Sequence, residues 1–267
     1  MEIGIITGSG TYALPGFEGD VTEPVTTRWG EALISRGTLA GVRVAHVSRH
    51  GSGHVRLSNH VAHRANVAAF AQLGVDAAIA VTVCGAVDRG VELGSLICFD
   101  DLHFPGNRLP DGSLCTFFTE PGDPQRGHWI YEDPYARALR AALLAAGERS
   151  GLQMRDGGCY GHVDGPRFNT KSEIRGLAAA GVTAVSQTAG PETVLAGEAE
   201  LPFALVGYAT DYANGVQPEA TPVERLLELI AASTETFARL LTAALPLIDA
   251  SALSPAGVVY RFHESRR

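Results

Sequence analysis

The chain alternates short continuous apolar runs with longer segments in which apolar residues recur at helical spacing. Short apolar runs bounded by glycine, proline or polar clusters are typical of buried strands. This pattern predicts strands over residues 3–7, 32–39, 42–48, 77–83, 182–187 and 203–210. The Ala40-Gly41 pair predicts a turn between the second and third of these strands.

Helical spacing predicts three helices with recognisable end signals. They are expected to begin at Ser58 or Asn59, at Asp133-Pro134 and at Thr221-Pro222-Val223-Glu224, and to end at Gly74, near Gly151 and near Leu245. The last of these starts has the spacing of a capping box, with proline at the first helical position. Because strands and helices alternate, the expected fold class is α/β, a sandwich around a mixed sheet.

Composition narrows the classes of function. The 267 residues are 45% apolar and contain no repeat or linker, which predicts one domain over residues 1–267. A formal net charge of −8 argues against a broad nucleic-acid surface, so any anionic ligand is expected to be small. The four scattered cysteines predict reduced thiols, and the first residues carry neither a basic segment nor a membrane-length apolar run. A cytoplasmic protein without a membrane partner is therefore expected.

A glycine-rich turn follows the first predicted strand. Gly8-Ser9-Gly10-Thr11-Tyr12-Ala13 matches the dinucleotide-binding pattern GxGxxG/A. That pattern must open directly into a helix, whereas Leu14-Pro15-Gly16 and then two strand-like segments follow here. The better interpretation is a turn whose backbone N–H groups and Ser9 hydroxyl face a single anion. A plain tight turn is the alternative.

Arg49 and His50 follow the strand predicted over residues 42–48, which places a cation and a second donor at the carboxyl end of a strand. Arginine suits phosphate because two of its N–H groups can bind one anion, although a loop arginine is as often a surface residue. A metal site is disfavoured, because Gly51 and Gly53 argue against a helix and no cysteine or paired carboxylates lie among the histidines at 50, 54, 60 and 63.

Two further residues are candidates for binding a ring. Phe168, in the rigid turn Gly165-Pro166-Arg167-Phe168, can stack on a base or fill the core, and without context the core is favoured. Asp211 closes an apolar strand, where an acid is unusual. A cap or turn acid is the alternative interpretation of Asp211.

Seven segments, in order along the chain, carry a family resemblance. They are residues 4–10, Arg49-His50-Gly51 with His54, Arg64-Ala65-Asn66, Thr82-Val83-Cys84-Gly85, Gly165-Pro166-Arg167-Phe168, Pro191-Glu192 with Leu195-Ala196 and Glu198, and Ala209-Thr210-Asp211-Tyr212. Together they resemble the trimeric purine nucleoside phosphorylase family, most closely its 5'-methylthioadenosine phosphorylase branch. The resemblance runs from residue 3 to about residue 227, and it implies an α/β/α sandwich around a partly barrel-like mixed sheet.

The resemblance also implies roles for the matched residues. Phosphate would be held by Ser9, Arg49, His50, Thr188 and the backbone near Val83, and Arg49, His50 and Asp211 would act in catalysis. The purine would lie against Phe168 with Asp211 at its N7 edge. The 5' substituent would meet Val223 and Leu226, with His128 arriving from a neighbouring subunit of a homotrimer. Inorganic phosphate would be a co-substrate, with no metal or organic cofactor.

Several positions depart from the family's usual residues. Gln187 stands where a methionine usually lies beneath the ribose, and Ala213 stands where adenine-selective members carry a second aspartate. Ser58 replaces a common proline, His63 a common tyrosine, and Gly85-Ala86 a common Gly-Ser pair. These departures do not change the predicted class of reaction, but they do not decide which nucleoside is the substrate.

The function implied by the resemblance is phosphorolysis of a purine nucleoside, 5'-methylthioadenosine first, to the free base and a pentose 1-phosphate. Phosphorolysis of a 6-oxopurine nucleoside such as methylthioinosine or inosine is the nearest alternative. A nucleosidase that uses water is a rival enzyme, and a nucleoside-binding sensor without catalysis is a rival from another class. Arg49, His50 and Thr188 favour the phosphorylase over the nucleosidase, since water needs no anion pocket.

Overall fold

The computed structural model describes residues 1–262, and the last five residues of the predicted domain lie outside this described part. Eleven strands of residues 1–262 form one mixed sheet. They are β1 (Glu2–Thr7), β2 (Glu18–Thr27), β3 (Gly30–Leu39), β4 (Val42–Ser48), β5 (Ala77–Ala86), β6 (Leu96–Cys98), β7 (Asp101–His103), β9 (Met154–Asp156), β10 (Cys159–His162), β11 (Val182–Ser186) and β12 (Phe203–Tyr212). Two more strands, β8 (Gly127–Ile130) and β13 (Val258–Arg261), pair as a separate antiparallel ribbon.

Five α-helices cover the two faces of the large sheet, namely α1 (His63–Leu73), α2 (Arg137–Arg149), α3 (Lys171–Ala179), α4 (Ala189–Glu198) and α5 (Val223–Ala244). Alternate residues of β5 point to opposite sides, as the pleat of a strand requires. Ala78 and Ala80 enter the core that contains α1 and α4, and Ile79 and Val81 enter the core that contains α2 and α5. The predicted α/β sandwich around a mixed sheet is therefore confirmed.

The strand β5 changes partner along its length, and this change opens the sheet. Its first residues pair in parallel with β1 up to Ala80, whereas Gly85 and Ala86 pair with the antiparallel strand β11. On its other edge β5 stays paired with β12 throughout. Residues 81–84 therefore have no strand neighbour on one side, and ligands of open α/β sheets bind at such openings beyond the carboxyl ends of strands.

The sequence placed the strands more accurately than the starts of the helices. Gly74 ends α1 in the left-handed conformation, as predicted, but residues 58–60 form a separate 3₁₀ turn, and α1 starts only at His63 without a side-chain cap. α2 begins at Arg137 rather than at Asp133-Pro134. Pro222 is the N-cap of α5, not its first residue.

The capping box predicted at Thr221 is wrong. The Thr221 hydroxyl oxygen instead accepts a hydrogen bond of 3.1 Å from the backbone N–H of Tyr212, so it secures the end of β12. A different capping box begins α3, where the Thr170 side chain accepts from the Glu173 N–H and the Glu173 carboxylate accepts from the Thr170 N–H. Sequence spacing alone cannot show that a neighbouring strand end competes for the same hydroxyl.

Among the described residues, no helix combines the length and the apolar character needed to cross a membrane.

Acid is expected to destabilise the fold through His46. Nε2 of this buried ring lies 2.8 Å from Oγ1 of Thr7, and burial, with a smaller effect of the Arg49 charge, lowers the His46 pKa from 6.5 to about 4. The unfolded chain takes up this proton below pH 6.5 and the folded chain does not until about pH 4. The stability from neutral His46 is therefore full above pH 6.5 and is lost as pH falls, at up to about 1.4 kcal/mol per pH unit.

Urea unfolding at pH 6.5 and 5.5 checks this expectation. Between these two pH values, the free energy of unfolding of His46→Gln should fall by about 1 kcal/mol less than that of the wild type. Equal losses in the two proteins would show that His46 does not contribute to acid sensitivity.

Candidate active site

A cavity of about 280 Å³ opens where β5 changes partner. Small-molecule sites in proteins usually start at about 300 Å³, so this volume suits one small ligand. Nine of the twelve residues predicted for the site line the cavity: Ser9, His50, Val83, Phe168, Gln187, Thr188, Asp211, Ala213 and Leu226. The other three, Arg49, His128 and Val223, do not line it.

The glycine turn after β1 forms one end of the cavity. The chain continues into β2 without a helix, which agrees with the rejection of a dinucleotide-binding turn. Gly8 has no room for a side chain, because a Cβ there would collide with the guanidinium of Arg49. Gly10 has a φ of +83°, and its carbonyl accepts a 2.7 Å hydrogen bond from Thr234 of α5. Helix α5 therefore holds the turn in place, with Ser9 on the cavity wall.

Arg49 lies beneath this turn, fully buried, with its charge paired to Glu192. Nε donates to Oε1 of Glu192 at 2.6 Å, Nη2 donates to Oε2 at 2.9 Å, and Nη1 donates to the Val81 carbonyl at 2.9 Å. Glu192 occupies the Nε–Nη2 side of the guanidinium, so that side is not free to bind phosphate. One N–H of Nη1 and one of Nη2 remain unused, so contact between Arg49 and an anion stays a prediction.

His50 presents an acceptor to the cavity rather than the expected donor. Its Nδ1 lies 2.8 Å from the Arg56 carbonyl oxygen, so Nδ1 must carry the hydrogen. Burial, followed by the nearby charge of Arg49, lowers the pKa of His50 to about 4. The ring is therefore neutral at pH 7, and Nε2 holds a lone pair. The ring of His54 stacks on it at 4.3 Å, and Tyr12 hydrogen-bonds His54 at 2.8 Å.

Thr188 stands at the start of α4, where free backbone N–H groups carry partial positive charge. It is buried, and its hydroxyl makes no capping bond to the helix. The backbone N–H of Ala189 donates to the Tyr160 hydroxyl at 3.1 Å, which fixes this helix end. Such helix starts are common anion sites. Ser9, His50 and Thr188 therefore line a polar end of the cavity that suits an anion.

Sequence reasoning missed a hydroxyl pair in the cavity wall. Oγ1 of Thr82 and Oγ of Ser186 lie 3.0 Å apart and join the open part of β5 to the end of β11. Thr82 interrupts an otherwise apolar strand, and that polar interruption was the available signal.

Asp211 lines the cavity where it pairs with Gly85, four residues along β5 from the Val81 carbonyl that Arg49 contacts, at an irregular position where β12 shifts its register against β5. Burial raises the pKa of its carboxyl, and a 2.8 Å hydrogen bond from Thr210 only partly offsets this. Asp211 has no cationic partner among the described residues. A carboxyl in this setting favours the protonated form and can donate a hydrogen bond. The alternative of a cap or turn acid is not what the structure shows.

Phe168 is 62% exposed at the cavity mouth, which rules out the core position that its sequence context favoured. Leu226 and Ile230 of α5 form an apolar wall nearby.

Val223 lies at the first position of α5 and points to solvent, so its predicted contact is not made within this chain. His128 lies in the β8–β13 ribbon, where its ring packs edge-on against Phe262.

The metal alternative among the histidines gains no support from their geometry, since the His50 and His54 rings stack face to face. Within residues 1–262, no group of three or more histidine, cysteine or carboxylate side chains is arranged to hold a metal ion.

Comparison with protein families matches residues 2–246 to the phosphorylase superfamily. The chain is 33% identical over 252 residues to the 6-oxopurine nucleoside phosphorylase of Pyrococcus furiosus, covering 92% of this chain and 93% of the relative. It is 33% identical over 265 residues to the S-methyl-5'-thioadenosine phosphorylase of Chloroflexus aurantiacus, covering 97% and 89%. Among solved structures, methylthioadenosine phosphorylase from Schistosoma mansoni in complex with adenine matches with a TM-score of 0.82 and 25% identity, covering 92% of this chain and 91% of that one.

Proposed function

This chain belongs to the phosphorylase superfamily, and we propose that it cleaves the glycosidic bond of a purine nucleoside with inorganic phosphate. The products are the free base and a pentose 1-phosphate. The observation that carries this proposal is one small cavity that joins polar groups suited to an anion, at Ser9, His50 and Thr188, to a half-buried acid beside Gly85, Asp211. The reaction needs phosphate as co-substrate and no metal or organic cofactor.

The anion end supplies both binding and activation of phosphate. Ser9, Thr188 and the start of α4 offer hydrogen-bond donors and positive potential. Nε2 of His50, held as an acceptor by the bond from Nδ1 to the Arg56 carbonyl, accepts the hydrogen of a phosphate hydroxyl. That contact increases the negative charge on the oxygen that attacks the anomeric carbon. Fixed positioning of the nucleophile supplies roughly 7–11 kcal/mol of the barrier in well-oriented reactions.

The acid end stabilises the leaving base. As the glycosidic bond breaks, the sugar becomes cationic and negative charge grows on the purine. A protonated Asp211 donates to N7 and neutralises this charge, and burial raises the pKa of the carboxyl toward this form. Phe168 at the mouth offers a ring face on which the base can stack.

The cavity favours a nucleoside with an apolar 5' group. Leu226 and Ile230 of α5 line the wall, and a 5'-hydroxyl placed against them would lose its hydrogen bonds to water. A 5'-methylthio group would instead bury apolar surface. We therefore place 5'-methylthioadenosine first among the substrates.

The residue at position 213 supports a second class of base, the 6-oxopurines. Ala213 lines the cavity without a polar side chain, so no second acid reinforces a choice of adenine. A relative named for 6-oxopurines matches as closely as one named for methylthioadenosine. A 6-oxopurine nucleoside is therefore the second candidate.

A substrate panel tests the proposed nucleoside. Initial rates with phosphate should be measured for the 5'-methylthio, 5'-deoxy and 5'-hydroxy nucleosides of adenine and hypoxanthine. The account expects the highest kcat/KM for 5'-methylthioadenosine and measurable activity on the 6-oxopurines. A higher kcat/KM for inosine or methylthioinosine would overturn the assignment of adenine and leave phosphorolysis intact.

Asp211→Asn is expected to narrow or reverse the preference for adenine. The protonated acid donates to N7 and its carbonyl oxygen accepts from the 6-amino group, whereas an amide can turn its NH₂ toward O6 of hypoxanthine. A mismatched buried pair costs about 1–3 kcal/mol, or roughly five- to 150-fold. The ratio of kcat/KM for methylthioadenosine to that for methylthioinosine measures this change. An unchanged ratio in the variant would show that Asp211 does not read the 6-position.

A homotrimer with shared active sites is expected. His128 does not line the cavity of its own chain, and the β8–β13 ribbon that carries it exposes Ile130, Val258 and Tyr260. A repeated head-to-tail contact closes a ring and can bring His128 to a neighbouring 5' pocket. Light scattering should give about three times the 28.1 kDa chain mass. A fully active monomer would contradict the shared site.

A further inference from the structure

Ser58 and Gln187 are joined across the cavity by a hydrogen bond that the proposed phosphate and base contacts do not use. The Ser58 hydroxyl donates to Oε1 of Gln187 at 2.9 Å, although the two residues are 129 positions apart. Nε2 of Gln187 donates to the Arg167 carbonyl at 3.1 Å. Both side chains line the cavity. The amide is therefore held between the 3₁₀ turn at residues 58–60 and the loop that carries Phe168.

The two bonds hold the amide of Gln187 in one orientation but do not use all of its hydrogen-bonding positions. A primary amide has two N–H donors and a carbonyl oxygen that accepts two bonds. Ser58 occupies one acceptor position and Arg167 one donor. One N–H of Nε2 and one acceptor position of Oε1 remain unused on this lining side chain. Because the Ser58 hydroxyl donates to Oε1, the positions of the amide oxygen and nitrogen are defined, and so are the positions of the unused acceptor and donor.

A sugar is the part of a nucleoside that reaches this wall. Thr188, the next residue, belongs to the anion-binding end, whereas Asp211 lies at the base end. The sugar links the atom that phosphate attacks to the departing base, so it occupies the space between these ends. Gln187 lies at that intermediate position, because it stands between Val185, which pairs with Gly85 beside Asp211, and Thr188.

We propose that Gln187, oriented by Ser58, is a specificity-determining residue that binds the 2',3'-diol of a ribose and so selects ribonucleosides over 2'-deoxyribonucleosides. The inference rests on the proposed function for the identity of the ligand. Two vicinal hydroxyls can accept from the free N–H and donate to the free acceptor position of the amide. A sugar that lacks the 2'-hydroxyl leaves one of these buried groups unpaired, which weakens its binding.

The test is direct binding, which does not depend on turnover. Isothermal titration without phosphate should compare 5'-methylthioadenosine with its 2'-deoxy analogue on wild type, Gln187→Met and Ser58→Ala. Wild type is expected to bind the ribonucleoside roughly ten- to a hundredfold more tightly. Gln187→Met should reduce that ratio to near one by weakening the ribonucleoside alone. Ser58→Ala should give an intermediate ratio, because it frees the amide to rotate without removing it.

Gln153→Met is the matched control, since Gln153 is exposed and pairs with Glu92 away from the cavity. It should keep the wild-type ratio. A wild-type ratio near one, or a ratio that Gln187→Met and Ser58→Ala leave unchanged, would overturn the inference. Base release measured in parallel separates the two proposals: binding that discriminates ribose without phosphate-dependent release would leave the role of Gln187 intact and reject the phosphorylase. If Gln187→Met does not fold, Ser58→Ala alone decides the matter.

Discussion

Asp211→Ala is expected to lower kcat/KM for phosphorolysis by about 10²–10⁴-fold, the usual worth of a general acid. Asp211 is a half-buried acid in the proposed base site, without a cationic partner among residues 1–262, and the loss of solvent around it raises its pKa. Without its proton, negative charge on the departing purine would have to be carried by the base alone. The loss should lie mainly in kcat, because the proton is needed most in the transition state.

The leaving group supplies a selective control for this variant. A purine nucleoside methylated at N7 already carries positive charge there and needs no proton to depart. Asp211→Ala should therefore retain most of the wild-type rate on such a substrate and lose it on the unmethylated one. Asp133→Ala, at an exposed position that pairs with Arg137 outside the cavity, should behave as wild type on both substrates. Equal losses on the two nucleosides would show that Asp211 acts through the structure of the site and not as an acid.

Removing either member of the Arg49–Glu192 pair is expected to lower the free energy of unfolding by about 3–5 kcal/mol. Both side chains are fully buried, and each single variant, Arg49→Met or Glu192→Met, leaves an uncompensated charge. The double variant replaces both charges with apolar side chains, and such replacements are often nearly neutral. Urea denaturation of the two single variants and the double variant measures these differences.

The double variant also separates stability from phosphate binding. If Arg49 contacts phosphate through one of its unused N–H groups, a folded Arg49→Met/Glu192→Met protein should have a KM for phosphate raised by about ten- to a hundredfold. A stable double variant with an unchanged KM would restrict Arg49 to supporting the glycine turn. Single variants as stable as the wild type would contradict the buried ion pair itself.

Local patterns in the sequence predicted six strands and helices α1, α2 and α5, but not β2, α3 or α4. Apolar runs located β1, β4, β11 and β12 to within a few residues, because strands buried on both faces need continuous apolar side chains. Helix starts were less accurate, since they depend on which hydroxyl finds which backbone group. Thr221 illustrates this, because the end of β12 takes the hydroxyl that the spacing assigned to a helix cap.

The site was predicted where a residue was unusual in its own surroundings. Asp211 at the end of an apolar strand and the glycines around Ser9 were visible for this reason, and the structure brings both to one cavity. Contacts between distant residues left no such local signal. The bonds of Arg49 to Glu192 span 143 positions, and the bond of Ser58 to Gln187 spans 129. Only the structure shows that Arg49 belongs to a buried ion pair and that the side-chain amide of Gln187 is held in one orientation.

The dependence of base release on phosphate tests the central claim most directly. The protein is incubated with 5'-methylthioadenosine in phosphate-free buffer and again with inorganic phosphate, and adenine and sugar products are quantified. The account predicts adenine only in the presence of phosphate, with one pentose 1-phosphate formed for each adenine released. Adenine released at the same rate without phosphate, together with free sugar, would identify a hydrolase, and no release from any purine nucleoside in the panel would identify a protein that only binds; either result would contradict the account.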